Sequence, residues 1–201
     1  VPVGAVCRRQ PGGLLRLDVM FGDETGSRMA FASVLGRNPV QLAKEAAVSI
    51  RRQMAGTVYL VGGGPGDPGL ITVRGIQMLR EADCIIYDRL SPPELLEEAK
   101  PGCERIYVGK ADRRHTMEQE EINRLLAEKS LRYETIVRLK GGDVYVFGRG
   151  GEEGLYLAEK GVPFEVVPGV SSATAALACA GIPVTHRGKA SGVHVVTAHS
   201  K

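Results

Sequence analysis

From residue 57 onward, short apolar segments alternate with amphipathic helical segments, and this alternation restricts the possible folds more than any other feature. Apolar runs such as Thr57–Val61 and Asp83–Tyr87 are typical of strands that are buried on both faces. Strands that alternate with helices predict an α/β fold with a mostly parallel sheet flanked by helices. The predicted strands are residues 57–61, 83–87, 104–108, 134–139, 164–167 and 193–197.

Two segments carry signals for the start of a helix. The sequence Ser91-Pro92-Pro93-Glu94 combines an N-cap residue, a proline at the first helical position and an acidic residue at the third. The sequence Thr116-Met117-Glu118-Gln119 has the form of a capping box. Both segments therefore predict helices, and apolar spacing predicts further helices near residues 73–82, 152–160 and 171–180.

Residues 1–54 differ from the rest of the chain in pattern and in charge. Leu14–Val19 and Met29–Leu35 have the character of strands, and Pro39–Met54 has apolar residues at helical spacing. These 54 residues carry eight Lys or Arg against four Asp or Glu, whereas the remainder carries 18 against 19. The sequence predicts a small, separate β-β-α unit that ends near Met54, with Ala55-Gly56 as the joint to the rest of the chain.

The composition excludes several functional classes. A net charge of only +3 over 201 residues does not indicate a nucleic-acid partner. No run of 18 apolar residues predicts a transmembrane helix, and the N-terminus lacks the pattern of a signal peptide. The four cysteines form no CxxC pair, which argues against a metal site and favours a reducing, cytoplasmic location. Because the chain lacks an initiator Met, we expect it to be a piece of a longer protein.

Glycine makes up 26 of the 201 residues, nearly twice the usual fraction, and it clusters in loops after predicted strands. The first such loop, Gly62–Gly69, contains G-x-G-x-x-G, with acidic residues about 20 positions further on, as in dinucleotide-binding folds. Pro65 and Pro68 weaken that match, because they remove backbone N–H donors that a pyrophosphate needs. A plain tight turn and a close approach to another ligand stay open as alternatives.

Charged residues follow two neighbouring strands. Asp88 comes directly after the strand 83–87, and Lys110 takes the same place after the strand 104–108. Ligands of α/β sheets bind at the carboxyl ends of the strands, so Asp88 is a candidate base or ligand anchor. The alternative is that Asp88 only pairs with Arg89 or caps the next helix.

Two later loops share these features. Gly141, Gly142 and Asp143 follow the strand 134–139 and combine an accessible backbone with a carboxylate. Ser171 and Ser172 stand at the predicted start of a helix, where backbone N–H groups can bind oxygens. These loops are therefore candidate ligand contacts, although a loop with solvated charges is an alternative for residues 138–151.

A series of ordered motifs carries a resemblance to a known family. In chain order, these motifs are VYLVGGGPGDPGLIT, YDRL, VGK, EEIN, VRLKGGD, VFGRGGEE, PFEVVPG and AGIPVTHRG. Through them, residues 56–201 resemble the uroporphyrinogen-III C-methyltransferases, which belong to the tetrapyrrole (precorrin) methylases. Residues 1–54 carry VPVGA at their start, then LRL, GSR and a closing helix, and through these they are similar, less specifically, to the C-terminal domain of hydroxymethylbilane synthase.

The resemblance implies S-adenosylmethionine-dependent methylation of uroporphyrinogen III to precorrin-2, on the way to sirohaem and cobalamin. Asp88 then takes the position of the proton acceptor and Lys110 that of the proton donor. The implied full-length form is a homodimer with a small-molecule substrate and no nucleic-acid or membrane partner. The implied cofactor contacts are Pro65, Gly141, Gly142, Asp143, Val146, Ser171 and Ser172.

The resemblance also implies a domain division: a synthase-like unit at 1–54, a methylase N-terminal domain at 55–169, and the start of a second methylase domain at 170–201. The sequence departs from the family at Gly63, Val144-Tyr145, Ser171-Ser172 and Ala198. Because the substrate has eight carboxylates, Arg89, Arg113 and Arg149 are candidate carboxylate clamps. The competing hypotheses are a dinucleotide-dependent oxidoreductase and a tetrapyrrole- or nucleoside-binding fragment without turnover.

Overall fold

The computed structural model describes residues 2–109 and 117–197, which form two sheets with helices packed on them. The first sheet has three antiparallel strands, β1 (Val3–Gln10), β2 (Leu14–Gly22) and β3 (Met29–Gly36), in the order β1-β2-β3. Helix α1 (Pro39–Met54) packs on β2 and β3. Strand β1 was not predicted, because it is an edge strand with mostly exposed residues and therefore shows no apolar alternation.

Helix α1 begins and ends where the sequence predicted. Asn38 caps it by accepting hydrogen bonds from the backbone N–H groups of Val40 and Gln41, and Pro39 occupies the first turn. The residues buried on its inner face recur at four-residue spacing and are Leu42, Ala46, Ile50 and Met54. The last three pack against Ala30 and Ala32 of β3.

The second sheet confirms the predicted α/β architecture. Its strands are β4 (Thr57–Gly62), β5 (Cys84–Tyr87), β6 (Glu104–Tyr107), β7 (Thr135–Lys140) and β8 (Phe164–Val167), and the helices are α2 (Val73–Glu81), α3 (Gln119–Lys129), α4 (Gly150–Lys160) and α5 (Ser172–Cys179). The five strands are parallel and lie in the order β6-β5-β7-β4-β8, so that β7 is central, with β5 and β4 on its two sides. No helix in the described ranges has the length and apolar character needed to cross a bilayer.

Two predicted helix starts were wrong in detail. The segment after Ser91 forms a short 3-10 helix, Pro93–Glu98, and the Ser91 hydroxyl does not cap it. That hydroxyl is buried and donates instead to the backbone carbonyl of Leu139 in β7, 3.1 Å away. Helix α3 begins at Gln119 and is capped by a box between Glu118 and Glu121. The predicted box began at Thr116, which lies outside the described residues.

The predicted strand Val193–Thr197 is also wrong. These residues have no strand structure, and Val193, Val195 and Val196 are exposed. An apolar run predicts a strand only if a neighbouring strand is present to pair with it, and no described strand pairs with this one.

Candidate functional site

The loops that follow β4, β5, β7 and β8 surround a cleft of about 780 Å³ at the carboxyl ends of the central strands. This is the place where parallel sheets bind ligands. All the predicted catalytic and cofactor-contact residues that the structure describes line this cleft. They are Pro65, Asp88, Gly141, Gly142, Asp143, Val146, Ser171 and Ser172. Arg89, a predicted carboxylate clamp, is exposed and is not part of the lining. Lys110 lies outside the described residues.

A two-residue bridge joins the loops after β4 and β7. Gly142 N donates to Gly64 O at 2.6 Å, and Gly64 N donates to Gly142 O at 3.2 Å. A Cβ added to Gly62 would lie 2.6 Å from Gly169 Cα, so the β8 loop meets the same junction. The sequence predicted a close approach to a ligand here, with a plain tight turn as the alternative. At Gly62 and Gly169 the missing side chain is required by the contact between the loops themselves.

Gly142 differs from the other glycines of this junction. Its φ is +68°, a left-handed conformation, and a Cβ on it would meet no atom within 4 Å. By contrast, a Cβ on Gly141 would lie 2.5 Å from Leu90 Cβ. Gly142 therefore leaves open space at the cleft wall, whereas Gly141 packs against the β5 loop.

The carboxylate of Asp143 connects two walls of the cleft. Its Oδ1 accepts a hydrogen bond from the backbone N–H of Tyr145 at 2.8 Å, and its Oδ2 accepts one from Gly169 at 3.0 Å. Asp143 thus holds the β8 loop against the β7 loop and lines the space between them. A direct contact with a cofactor stays a prediction.

Asp88 stands at the end of β5 with about a quarter of its side chain exposed. Its Oδ1 accepts from the backbone N–H of Leu90 at 3.1 Å, and its Oδ2 accepts from Nη2 of Arg138 at 2.9 Å. Asp88 therefore forms its ion pair with Arg138, whereas the alternative interpretation of the sequence predicted a pair with Arg89. The Asp88 carboxylate is thus partly exposed on the cleft wall and held at both oxygens, and its role as a proton acceptor stays a prediction.

Comparison with known proteins identifies the family. The sequence model for Tetrapyrrole (Corrin/Porphyrin) Methylases matches residues 57–200. The chain belongs to the tetrapyrrole methylase family. The match begins at the first strand of the parallel sheet and leaves out the three-stranded unit.

Relatives of this methylase have names and structures that agree with the family. A uroporphyrinogen-III C-methyltransferase from Bacillus subtilis (strain 168) is 59% identical over 73% of this chain and 30% of its own length. One from Methanocaldococcus jannaschii is 54% identical over 73% of this chain and 60% of its own length. The Thermus thermophilus enzyme, solved with S-adenyl homocysteine, is 50% identical with a TM-score of 0.56, over 68% of this chain and 53% of that one. The chain therefore spans less than two thirds of each of these relatives.

Three buried charged residues of the methylase domain, which sequence reasoning did not assign to the site, lie under the cleft. Arg138 and Lys140 of β7 line it, and Glu153 of α4 lies behind them. Oε1 of Glu153 accepts from Arg138 Nε at 3.0 Å and from Lys140 Nζ at 3.1 Å. Burial lowers the pKa of Lys140, and the nearby Arg138 charge lowers it further, while Glu153 opposes both. The sequence contained a signal for this buried cluster, because Arg138 and Lys140 stand two residues apart in a mostly apolar strand and therefore lie on one face of it.

The loop that leads into α4 forms the outer wall of the cleft. Phe147 and Arg149 have φ values of 53° and 58°, which are strained for residues other than glycine. Val146 and Phe147 are exposed there. Arg149, a predicted carboxylate clamp, pairs with Glu152 at 2.7 Å, and Arg113 lies outside the described residues.

The first turn of α5 also lines the cleft. Ser171 caps the helix, because its hydroxyl accepts from the backbone N–H of Ala173 at 3.2 Å. Ser172 is the first helical residue and is exposed, and Ala173 and Ala176 line the same wall. The side chains here are small, so a ligand can approach the backbone at the start of the helix.

Proposed function

We propose that this protein binds S-adenosylmethionine in the cleft and catalyses methylation of uroporphyrinogen III to precorrin-2, in sirohaem or cobalamin synthesis. One observation carries the proposal: seven residues that the resemblance assigns to the cofactor, spread over more than 100 positions of sequence, line a single cleft. The 50% identity to an enzyme solved with S-adenyl homocysteine supports it, since that molecule is what remains of the cofactor after methyl transfer.

The described residues fit such a cofactor. Val146, Ala173 and Ala176 offer an apolar wall, whereas Asp143 and the two serines of the α5 turn offer polar atoms beside it. When bound, S-adenosylmethionine supplies an electrophilic methyl group to an electron-rich pyrrole carbon. The protein then has to align the two molecules and manage one proton.

Asp88 is the proposed proton acceptor. Transfer of the methyl group leaves the tetrapyrrole with a positive charge, and loss of a proton makes it neutral again; the Asp88 carboxylate, partly exposed on the cleft wall, would accept that proton. Lys110 is the proposed proton donor, on the resemblance alone. Arg89 and Arg149 are proposed contacts for the substrate's carboxylates, and the exposed position of both side chains supports this role.

The three-stranded unit is proposed to derive from the C-terminal domain of hydroxymethylbilane synthase. Its antiparallel sheet with one packed helix and its separate charge balance support a unit of different origin, bounded at residue 54. We further propose a methylase N-terminal domain at 55–169, a second domain that begins at 170, a cytoplasmic location and a homodimeric full-length form.

The alternative of a dinucleotide-dependent oxidoreductase is disfavoured by the loop after β4. In the dinucleotide fingerprint the glycine loop opens directly into a helix. Here the loop leads into the 3-10 helix Pro68–Leu70, and α2 begins only at Val73, with Thr72 as its cap.

Calorimetric titration of the protein with S-adenosylhomocysteine and with NAD tests the proposal. We expect saturable binding of S-adenosylhomocysteine only. A second assay measures transfer of a radiolabelled methyl group to uroporphyrinogen III, beside a full-length relative as a positive control. Binding of NAD would favour the oxidoreductase. Binding of S-adenosylhomocysteine without methyl transfer would indicate a binding fragment.

A further inference from the structure

Arg138 has an unusual environment for an arginine. It lies in the central strand β7 with only 3% of its side chain exposed. Its guanidinium donates to four acceptors. They are Glu153 Oε1 at 3.0 Å, Leu139 O at 2.9 Å, Ile86 O at 3.4 Å and Asp88 Oδ2 at 2.9 Å.

This arrangement links α4 to the end of β5. Glu153 is fully buried in the first turn of α4 and holds the Nε side of the guanidinium. The Nη2 side then points at Asp88. The planar guanidinium presents its N–H groups in fixed directions, so fixing one side also fixes the other.

Stability alone does not account for this cluster. Buried ion pairs often contribute little net stability, because desolvation offsets the attraction between the charges. Of its members, Asp88 is the one that is appreciably exposed in the cleft, whereas Arg138, Lys140 and Glu153 are buried.

We propose that Arg138, oriented by Glu153, is a positioning residue that fixes the rotamer and the carboxylate plane of Asp88; its catalytic consequence rests on the proposed function. Without Arg138, Asp88 keeps one side-chain hydrogen bond in the described structure, from Leu90 N to Oδ1. One hydrogen bond leaves the carboxylate free to rotate about the bonded oxygen. Two bonds, one to each oxygen, define its plane.

The direct test is the side-chain rotamer of Asp88, measured by NMR scalar couplings at neutral pH, and it requires no turnover. We expect a single χ1 rotamer in the wild-type chain and averaged rotamers in Arg138→Met. If that variant does not fold, Arg138→Lys serves, because one ammonium cannot reach both Glu153 and Asp88 in the way the guanidinium does. Asp143 is the internal control, since both its oxygens are held by backbone N–H groups and its rotamer should not change. A single Asp88 rotamer in the folded variants would overturn the proposal.

Kinetics supply a second test, in a double-mutant cycle with Asp88→Ala. We expect Arg138→Met to lower kcat about 10- to 100-fold with little change in KM, as for a misplaced catalytic group. In the Asp88→Ala background it should have no further effect, whereas additive effects would contradict a role through Asp88. Lys129→Met removes a partly buried ion pair with Glu104 far from the cleft and should leave kcat unchanged. If Asp88→Ala itself has no effect, the proton-acceptor role fails, and the NMR result still decides the positioning role.

Discussion

Asp143 Oδ2 accepts a hydrogen bond from the backbone N–H of Gly169 at 3.0 Å, and this contact joins two loops that are 26 residues apart in the chain. The same carboxylate accepts from Tyr145 N through its other oxygen. Asp143 therefore helps to hold together the wall of the cleft that it also lines.

We expect Asp143→Ala to weaken the binding of S-adenosylhomocysteine by roughly 10-fold or more. The substitution leaves two backbone N–H groups without their acceptor and releases the β8 loop, and each lost hydrogen bond is worth about 1 kcal/mol. Isothermal titration measures the effect. Asp67→Ala is a matched control, because it removes a similar bond to Gly69 N in a loop position that does not line the cleft. A wild-type dissociation constant in Asp143→Ala would refute this role.

We expect Asp88→Ala to lower the rate of methyl transfer strongly and to leave the affinity for the cofactor nearly unchanged. Loss of a proton acceptor typically lowers a rate by about 10²- to 10⁴-fold. Cofactor affinity should stay nearly unchanged, because Asp88 lies after β5, whereas the proposed cofactor contacts follow β4, β7 and β8. Methyl-transfer rates and titrations on the same preparation separate the two effects. Unchanged turnover would reduce Asp88 to a structural partner of Arg138.

The sequence predicted most of the parallel sheet because its inner strands, β4, β5 and β7, are buried. Apolar runs such as those of β4 and β5 carry this information locally. Strand β1 escaped prediction because its residues are exposed, and Val193–Thr197 was wrongly predicted because strand pairing depends on distant neighbours. The local pattern of apolar residues shows neither that an exposed segment pairs as an edge strand nor that an apolar segment lacks a partner strand.

The sequence predicted the loop residues of the candidate site but not the buried charged residues that lie under the cleft. The loop residues could be identified as site candidates because they follow strands, and parallel strands end at the same edge of the sheet. The buried partners could not, since the contact of Arg138 with Glu153 depends on how α4 packs against β7. The glycines were also assigned too simply: their number is visible in the sequence, but the loop contacts that require them are not.

Acid should destabilise the protein through Asp83. Burial raises the pKa of this carboxyl, but hydrogen bonds from Lys100 Nζ and from the backbone N–H groups of Thr135 and Glu134 outweigh it and leave the pKa below its ordinary value. A lowered pKa in the folded state stabilises the protein above the unfolded pKa of about 4, and this stabilisation is lost as pH falls through the folded value. The difference in unfolding free energy between wild type and Asp83→Asn should therefore shrink below about pH 4. A free-energy difference that does not vary with pH would contradict this prediction. In a Lys100→Met background the difference should be smaller, because one of the hydrogen bonds to Asp83 is already lost.

Cys84 should resist alkylation in the native protein. Burial raises its pKa to about 12, so the reactive thiolate is scarce at neutral pH, and the side chain is fully buried. Cys7 and Cys179 are exposed and provide internal controls. Mass spectrometry after a short iodoacetamide treatment should find these two modified and Cys84 unmodified until denaturant is added. Early modification of Cys84 would show that the sheet opens.

The central claim is that the cleft at the ends of β4, β7 and β8 holds S-adenosylmethionine, and titration with S-adenosylhomocysteine tests it most directly. The account predicts saturable, one-to-one binding with a Kd of roughly 1 mM or tighter, weakened by Asp143→Ala and not by Asp67→Ala. It predicts no binding of NAD under the same conditions. Absence of S-adenosylhomocysteine binding, or binding that is indifferent to Asp143, would contradict it.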